Sequence, residues 1–187
     1  MRTQRVYLQP YDPRWAAEFA CESSAVASAP GSILVAIHHI GSTAVPGIHA
    51  KPVIDMLAVT SDVSLLDEST TGLVALGCEA LGEFGIVGRR YFRKDNHAGE
   101  RTHQIHAFQV GSPQIPRHLA FRDFLRVHPD CASDYDALKQ RLAESHPNDI
   151  SSYTDGKDSF IQDIDSRAVS WLSARPDEIP HASVLTQ

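Results

Sequence analysis

The sequence predicts an α/β (α+β) protein in which a mixed sheet is flanked by helices and is followed by a helical C-terminal subdomain. Two observations predict this class. Between residues 33 and 110, apolar and β-branched runs typical of strands are mixed with a segment of helical spacing. After the Gly-Ser-Pro turn at 111–113, apolar residues recur at helical spacing up to about residue 172. Strands mixed with helices and then a run of helices are typical of this class.

The predicted elements follow in chain order. A first helix begins at Asp12 and Pro13, because Asp is a good cap and Pro fits the first turn, and it ends near residue 30. The later elements are strands over 33–37 and 53–59, a helix over 62–76, a hairpin made of 78–87 and 89–94, a strand over 101–110, and three helices marked by Phe121, Tyr135 and Phe160.

The chain length of 187 residues predicts one domain with a real core. We expect this domain to span 1–175, with its helical C-terminal part from about 113 to 175. Residues 176–187 have no periodicity and are expected to form a mobile tail.

Composition excludes several classes of protein. The net charge of −6 argues against a protein that binds bulk nucleic acid. Cys21, Cys78 and Cys131 lie far apart, which indicates neither a disulfide framework nor a zinc knuckle. We see no signal peptide and no apolar run long enough to span a bilayer, so we expect a cytoplasmic protein without a membrane partner. A P-loop, a GxSxG elbow and an HExxH zinc motif are all missing.

Residues 39–55 contain the features that predict a functional site. Gly41 and Ser42 follow the first predicted strand, and Asp55 lies inside the second. A Gly-Ser turn at a strand end offers backbone N–H groups to phosphate oxygens. A carboxylate in an apolar strand needs a cation or a hydrogen-bonding partner. The alternative is an ordinary tight turn beside a structural aspartate that pairs with a nearby Lys or Arg.

The run HIGSTAVPGIHAKPVIDML at 39–57 resembles the GrpB family. The resemblance continues through four further segments, which are 89–94, 101–106, 121–123 and 153–157. It implies a nucleotidyltransferase-like fold and a relation to the domain that follows dephospho-CoA kinase in some bacterial proteins. Nucleotidyltransferases of this fold usually carry two magnesium-binding carboxylates one residue apart. This chain reads Asp55-Met56-Leu57, so the second carboxylate is missing.

The resemblance also directs the choice of site residues. The family typically carries a His-x-His pair where this chain has Gln104 and His106. We therefore predict that Asp55 and His106 are catalytic and hold a divalent metal, Mg²⁺ or Mn²⁺. The alternative for His106 is a buried core histidine. The predicted phosphate- or nucleotide-binding residues are Gly41, Ser42, Thr43, Lys51, Arg90 and Lys94.

Alternatives remain open for the basic residues Arg90 and Lys94 and for Lys157. Arg90 and Lys94 belong to a basic run whose charges could equally line a solvated strand face. Lys157, near the start of the last helix, could close the cleft from the helical side or form a simple ion pair.

Two functions follow from this reading. The first is a nucleotidyltransferase-like protein that binds a nucleotide or phosphorylated small molecule with a divalent metal and, as an enzyme, transfers a nucleotidyl or phosphoryl group. The second is a non-catalytic module of the same fold that binds a ligand or a partner protein. The missing second carboxylate favours the module, whereas the polar groups around the Gly-Ser turn favour the enzyme.

Overall fold

The structure is a computed structural model that describes residues 5–29 and 33–174. It contains a five-stranded mixed sheet in the order β1-β2-β5-β4-β3. The elements are α1 (Arg14–Ala27), β1 (Leu34–Ile40), a 3-10 turn (Ser42–Ala44), β2 (Ile54–Thr60), α2 (Val63–Glu68), α3 (Thr70–Ala75), β3 (Cys78–Ala80), β4 (Arg90–Asp95), β5 (Arg101–Gln109), α4 (Gln114–Val127), α5 (Pro129–Ser145), α6 (Ile150–Asp155) and α7 (Asp158–Ser173). This architecture confirms the predicted class. The predicted tail at 176–187 lies outside the described residues.

The two faces of the sheet pack against different helices. β2 pairs in parallel with β5, and the other neighbouring strands pair antiparallel. Met56 of β2 belongs to a core shared with Trp15 of α1, and we call this side the α1 face. Leu57 belongs to a core shared with Leu119 of α4, and we call this side the α4 face. Because side chains alternate along a strand, Asp55 lies on the α4 face.

A third core joins the helical subdomain to the loop between β1 and β2. Val45 and Ile48 of that loop are buried among α4, α5 and α7, where they share a core with Phe124, Tyr135 and Ile164. Burial of apolar surface is the main stabilising contribution of such a core. The Gly41–Ser42 turn is therefore held between the sheet and the C-terminal helices.

Two predicted elements differ from the structure. The helix predicted over 62–76 is broken at Ser69 into α2 and α3, although its predicted cap is present, since Asp62 accepts a 2.7 Å hydrogen bond from the Ser64 N–H. The strand predicted over 78–87 ends at Ala80. Residues 81–89 instead form a loop that closes where the Tyr91 N–H donates to the Gly82 carbonyl at 2.8 Å. In the described ranges, we find no helix long and apolar enough to cross a membrane.

Candidate functional site

Gly41 lies directly on the carboxylate of Asp55. Its backbone has φ 72° and ψ −173°, a conformation that essentially only glycine adopts. A Cβ at this position would lie 2.9 Å from the Asp55 Cβ and closer still to Oδ2. No other residue fits here without moving Asp55, so the predicted turn and the predicted carboxylate form one site.

Thr43 holds the turn in place. Its hydroxyl donates to the Val53 carbonyl at 3.3 Å and lies 2.9 Å from His39 Nε2. Because the hydroxyl proton points at Val53, His39 Nε2–H is the donor in the second bond. Burial lowers the pKa of His39 to about 4, which keeps this ring neutral. The hydroxyl of Thr43, predicted to bind the ligand, is therefore engaged within the turn.

Ser42 is connected to the helical subdomain. Its side chain lies near the hydroxyl of Tyr135 on α5 and lowers the pKa of that phenol against the larger effect of burial. Burial raises the pKa of Tyr135 to about 12, so the phenol stays protonated.

Two lysines approach Asp55 from different elements. Burial raises the pKa of Asp55 to about 6, and the charges of Lys51 and Lys157 oppose that rise. Both ammonium groups lie over the ring of Tyr153, with Lys51 Nζ at 5.7 Å and Lys157 Nζ at 4.5 Å from its centroid. Burial, and then repulsion from Lys51, lowers the pKa of Lys157 to about 8. Two cations therefore surround one carboxylate.

A third lysine, Lys139 of α5, borders the same cluster. It is 1% exposed, and its ammonium donates to the His49 carbonyl and lies 3.8 Å from Asp136 Oδ1. Burial lowers the pKa of Lys139 to about 8, and the charge of Lys157 contributes to that shift. Lys139 therefore has its own carboxylate partner but adds to the positive potential around Lys157.

Arg90 and Lys94 are not brought to the turn. Arg90 forms two hydrogen bonds with Asp67, of 2.6 and 2.7 Å, and Lys94 Nζ lies 2.8 Å from both oxygens of Glu22. Both share the side of β4 that Phe92 buries in the α1 core. The alternation of side chains along a strand correctly placed Arg90 and Lys94 on one face of β4. That face is the α1 face, on the opposite side of the sheet from Asp55.

His106 lies on the α4 face, but Gln104 occupies the position beside Asp55. The strand register pairs Asp55 with Gln104 and Leu57 with His106. His106 Nδ1 lies 3.3 Å from Arg89 Nη1, and its ring centroid lies 5.8 Å from that of His118. Burial lowers the pKa of His106 to about 3, and the charges of His118 and Arg89 make smaller contributions in the same direction.

The metal site predicted at Asp55 and His106 stays a prediction, and Gln104 rather than His106 pairs with Asp55 across the sheet. Within 5–29 and 33–174, no three His, Cys, Asp or Glu side chains form a group that could hold a metal ion. The charges of Lys51 and Lys157 act on the Asp55 carboxylate, although neither lysine forms an ion pair with it in the described part of the chain. These residues fit a divalent cation only if an anionic ligand supplies most of its coordination.

Comparison with known proteins identifies the family. The model of the GrpB protein family matches residues 5–167. The chain belongs to the GrpB family. This confirms the resemblance found in residues 39–57.

Three relatives extend this result. The UPF0157 protein YqkA of Bacillus subtilis is 40% identical over 172 residues, which are 92% of this chain and 50% of YqkA. The crystal structure of the conserved protein GrpB from Enterococcus faecalis has a TM-score of 0.83 and 39% identity, covering 88% of this chain and 98% of that one. A dephospho-CoA kinase of Mycolicibacterium paratuberculosis is 28% identical over 192 residues, covering 90% of this chain and 47% of the kinase. The chain thus spans about half the length of YqkA and of the kinase.

Several residues of this GrpB-family site were missed in the sequence. Lys139 and Tyr135 come from α5 and carry no local motif that marks them. Tyr153 lies in the segment 153–157 that carries the family resemblance, but it was not predicted as a site residue. Arg93 shares the α4 face and lies in one row with Gln104 and Asp55, but its guanidinium is ion-paired with Glu79 of β3.

Proposed function

We propose that this GrpB-family protein binds a nucleotide or a phosphorylated small molecule at the Gly41–Ser42 turn. The observation that carries the proposal is the pair Lys51 and Lys157 facing the single carboxylate of Asp55. The lysine ion pairs within the described residues are Lys94–Glu22 and Lys139–Asp136, so neither Lys51 nor Lys157 forms one.

The charge balance of the cluster favours an anion. A pKa of about 8 leaves Lys157 largely protonated at pH 7. Asp158 also acts on Lys157, but this carboxylate is exposed and its charge is screened by solvent, so the buried part of the cluster sets two lysines against Asp55 alone. Unmatched charge in a partly buried site is unfavourable, and an anion would offset it. Phosphate oxygens suit both lysine ammonium groups and the backbone N–H groups of a turn.

In the enzymatic version of the proposal, the site transfers a nucleotidyl or phosphoryl group. Such transfer depends mainly on positioned charge, which Lys51, Lys157 and the turn would supply. Mg²⁺ or Mn²⁺ would enter with the phosphates and would use Asp55 as its protein ligand. Arg90, Lys94 and His106 have no part in this version, because other residues engage them.

A specific observation favours the second function, a non-catalytic ligand- or partner-binding module. Nucleotidyltransferases of this fold usually carry a second carboxylate two residues after the first, and here that position is Leu57, which is fully buried in the α4-side core. The neighbouring strand offers Gln104 instead of a carboxylate. Ligand binding without turnover is the behaviour that this module would show.

The anion site can be tested by isothermal titration with inorganic tripolyphosphate and with ATP, each with and without Mg²⁺. Lys157→Ala should weaken the binding of both anions about 10- to 100-fold, because a lost hydrogen bond to a charged group is worth about 1.5–3 kcal/mol. Lys94→Ala is the matched control, since this lysine lies on the opposite sheet face beside Glu22. Equal losses in both variants would refute the proposed location.

Turnover separates the enzyme from the module. Wild type incubated with each nucleoside triphosphate, Mg²⁺ and a broad metabolite pool should release pyrophosphate or label an acceptor if it is an enzyme. Asp55→Asn should then abolish that reaction while tripolyphosphate binding persists. Binding that raises the melting temperature without any turnover would identify the module.

A further inference from the structure

The loop between β3 and β4 carries an exposed aromatic ring in an unusual backbone conformation. Phe84 is 61% exposed and has φ 45°. In the described part of the chain it is the one residue other than glycine with a positive φ. A bulky residue at positive φ is strained, and such strain is concentrated at functional sites. Neither burial nor backbone preference explains why a phenylalanine stands here.

The ring of Phe84 is held in place by its neighbours. It stacks on Tyr91 with centroids 5.1 Å apart and an interplanar angle of 21°. Arg89 donates to the Phe84 carbonyl at 2.6 Å and to the Glu83 carbonyl at 3.1 Å, and its guanidinium lies 4.9 Å from the Tyr91 centroid. The loop is therefore preorganised, and part of the Phe84 ring remains open to a further planar group.

This aromatic pair lies on the same face of the sheet as the anion site. Tyr91 pairs with His106 on β5. That pair lies two residues along the strands from Gln104, which pairs with Asp55, so both rows face the same side of the sheet. Tyr91 on β4 and Asp55 on β2 are two strands apart across the sheet and two residues apart along it. These offsets place their Cα atoms about 12 Å from each other. A ribose with its phosphates can bridge that separation.

We propose that Phe84 and Tyr91 form a stacking platform for the planar base of a nucleotide whose phosphates bind beside Lys51 and Lys157. This inference rests on the proposed function and narrows its ligand to the nucleotide class. Stacking on an aromatic ring tolerates any base, because every base has a π face. The platform therefore contributes affinity for nucleotides over simple phosphates without selecting one base.

The test compares ATP with inorganic tripolyphosphate, which has the phosphates but no base. Isothermal titration of wild type should show ATP binding about 5- to 100-fold more tightly than tripolyphosphate. Phe84→Ala should remove that advantage and leave tripolyphosphate binding unchanged. Phe84→Tyr should retain it, because the planar ring remains, and Val87→Ala, at an 89% exposed position of the same loop, should behave as wild type.

The possible failures are distinguishable. Equal affinity of wild type for the two ligands, still lost in Lys157→Ala, would overturn the platform and leave the anion site intact. Loss of ATP affinity in Val87→Ala as large as in Phe84→Ala would also overturn it. Failure of both ligands to bind wild type would refute the anion site, and the platform with it.

Discussion

Replacing Gly41 by alanine should destabilise the protein through two separable effects. The first is backbone strain, because the conformation at φ 72° and ψ −173° costs a residue with a Cβ about 1–3 kcal/mol. The second is overpacking against Asp55, whose Cβ lies 2.9 Å from the added methyl group, at about 1–3 kcal/mol. Together they predict a loss of about 2–6 kcal/mol in the free energy of unfolding.

A matched control separates the two effects. Gly47 also has a positive φ, of 86°, but a Cβ there would meet nothing within 4 Å. Gly47→Ala should therefore show only the conformational part, at about 1–2 kcal/mol. A larger loss in Gly41→Ala than in Gly47→Ala is what the close contact with Asp55 predicts.

Urea unfolding followed by circular dichroism measures both variants, with an unchanged m-value as the check that the transition stays comparable. Adding Asp55→Ala to Gly41→Ala should recover part of the loss, because the carboxylate oxygens that meet the new methyl group are gone. Equal destabilisation of Gly41→Ala and Gly47→Ala, or no recovery in the double variant, would refute the close contact between the turn and Asp55.

Two further predictions concern Asp55 and Phe84. Burial raises the pKa of Asp55 from 3.8 to about 6, so the folded state holds a proton that the unfolded state releases between these pH values. Wild-type stability relative to Asp55→Asn should fall as pH rises from 4 to 6, by on the order of 2 kcal/mol, and parallel urea-midpoint profiles of the two proteins would contradict this. Phe84→Gly should relieve strain and leave stability unchanged or raised by up to about 1 kcal/mol while weakening ATP binding. If thermal unfolding shows that Phe84→Gly lowers the free energy of unfolding by more than about 1.5 kcal/mol, the ring has a structural role instead.

The sequence by itself determined the family and the class of fold, and it predicted the turn and the carboxylate that the structure brings together. The strands and most helices were predictable because hydrophobic period, caps and turn residues are local signals. Gly41 and Asp55 could be placed near each other because one follows the first predicted strand and the other lies near the start of the second; the structure adds that Ile40 pairs with Asp55 across these antiparallel strands. The missing second carboxylate was also visible in the sequence.

Only the tertiary structure decided which charges reach Asp55. Side chains alternate along β4, so half of them lie on each face of the sheet. The sequence does not tell which of these two faces is shared with Asp55, because that depends on how the helices pack on the sheet. Lys94 therefore pairs with Glu22 of α1, whereas Arg93 lies on the α4 face and pairs with Glu79 of β3. The charge of Lys157, at the N-terminal end of α7, acts on Asp55 although the two residues lie far apart in sequence. Such an interaction has no local sequence pattern, because it depends on how the helical subdomain packs against the sheet.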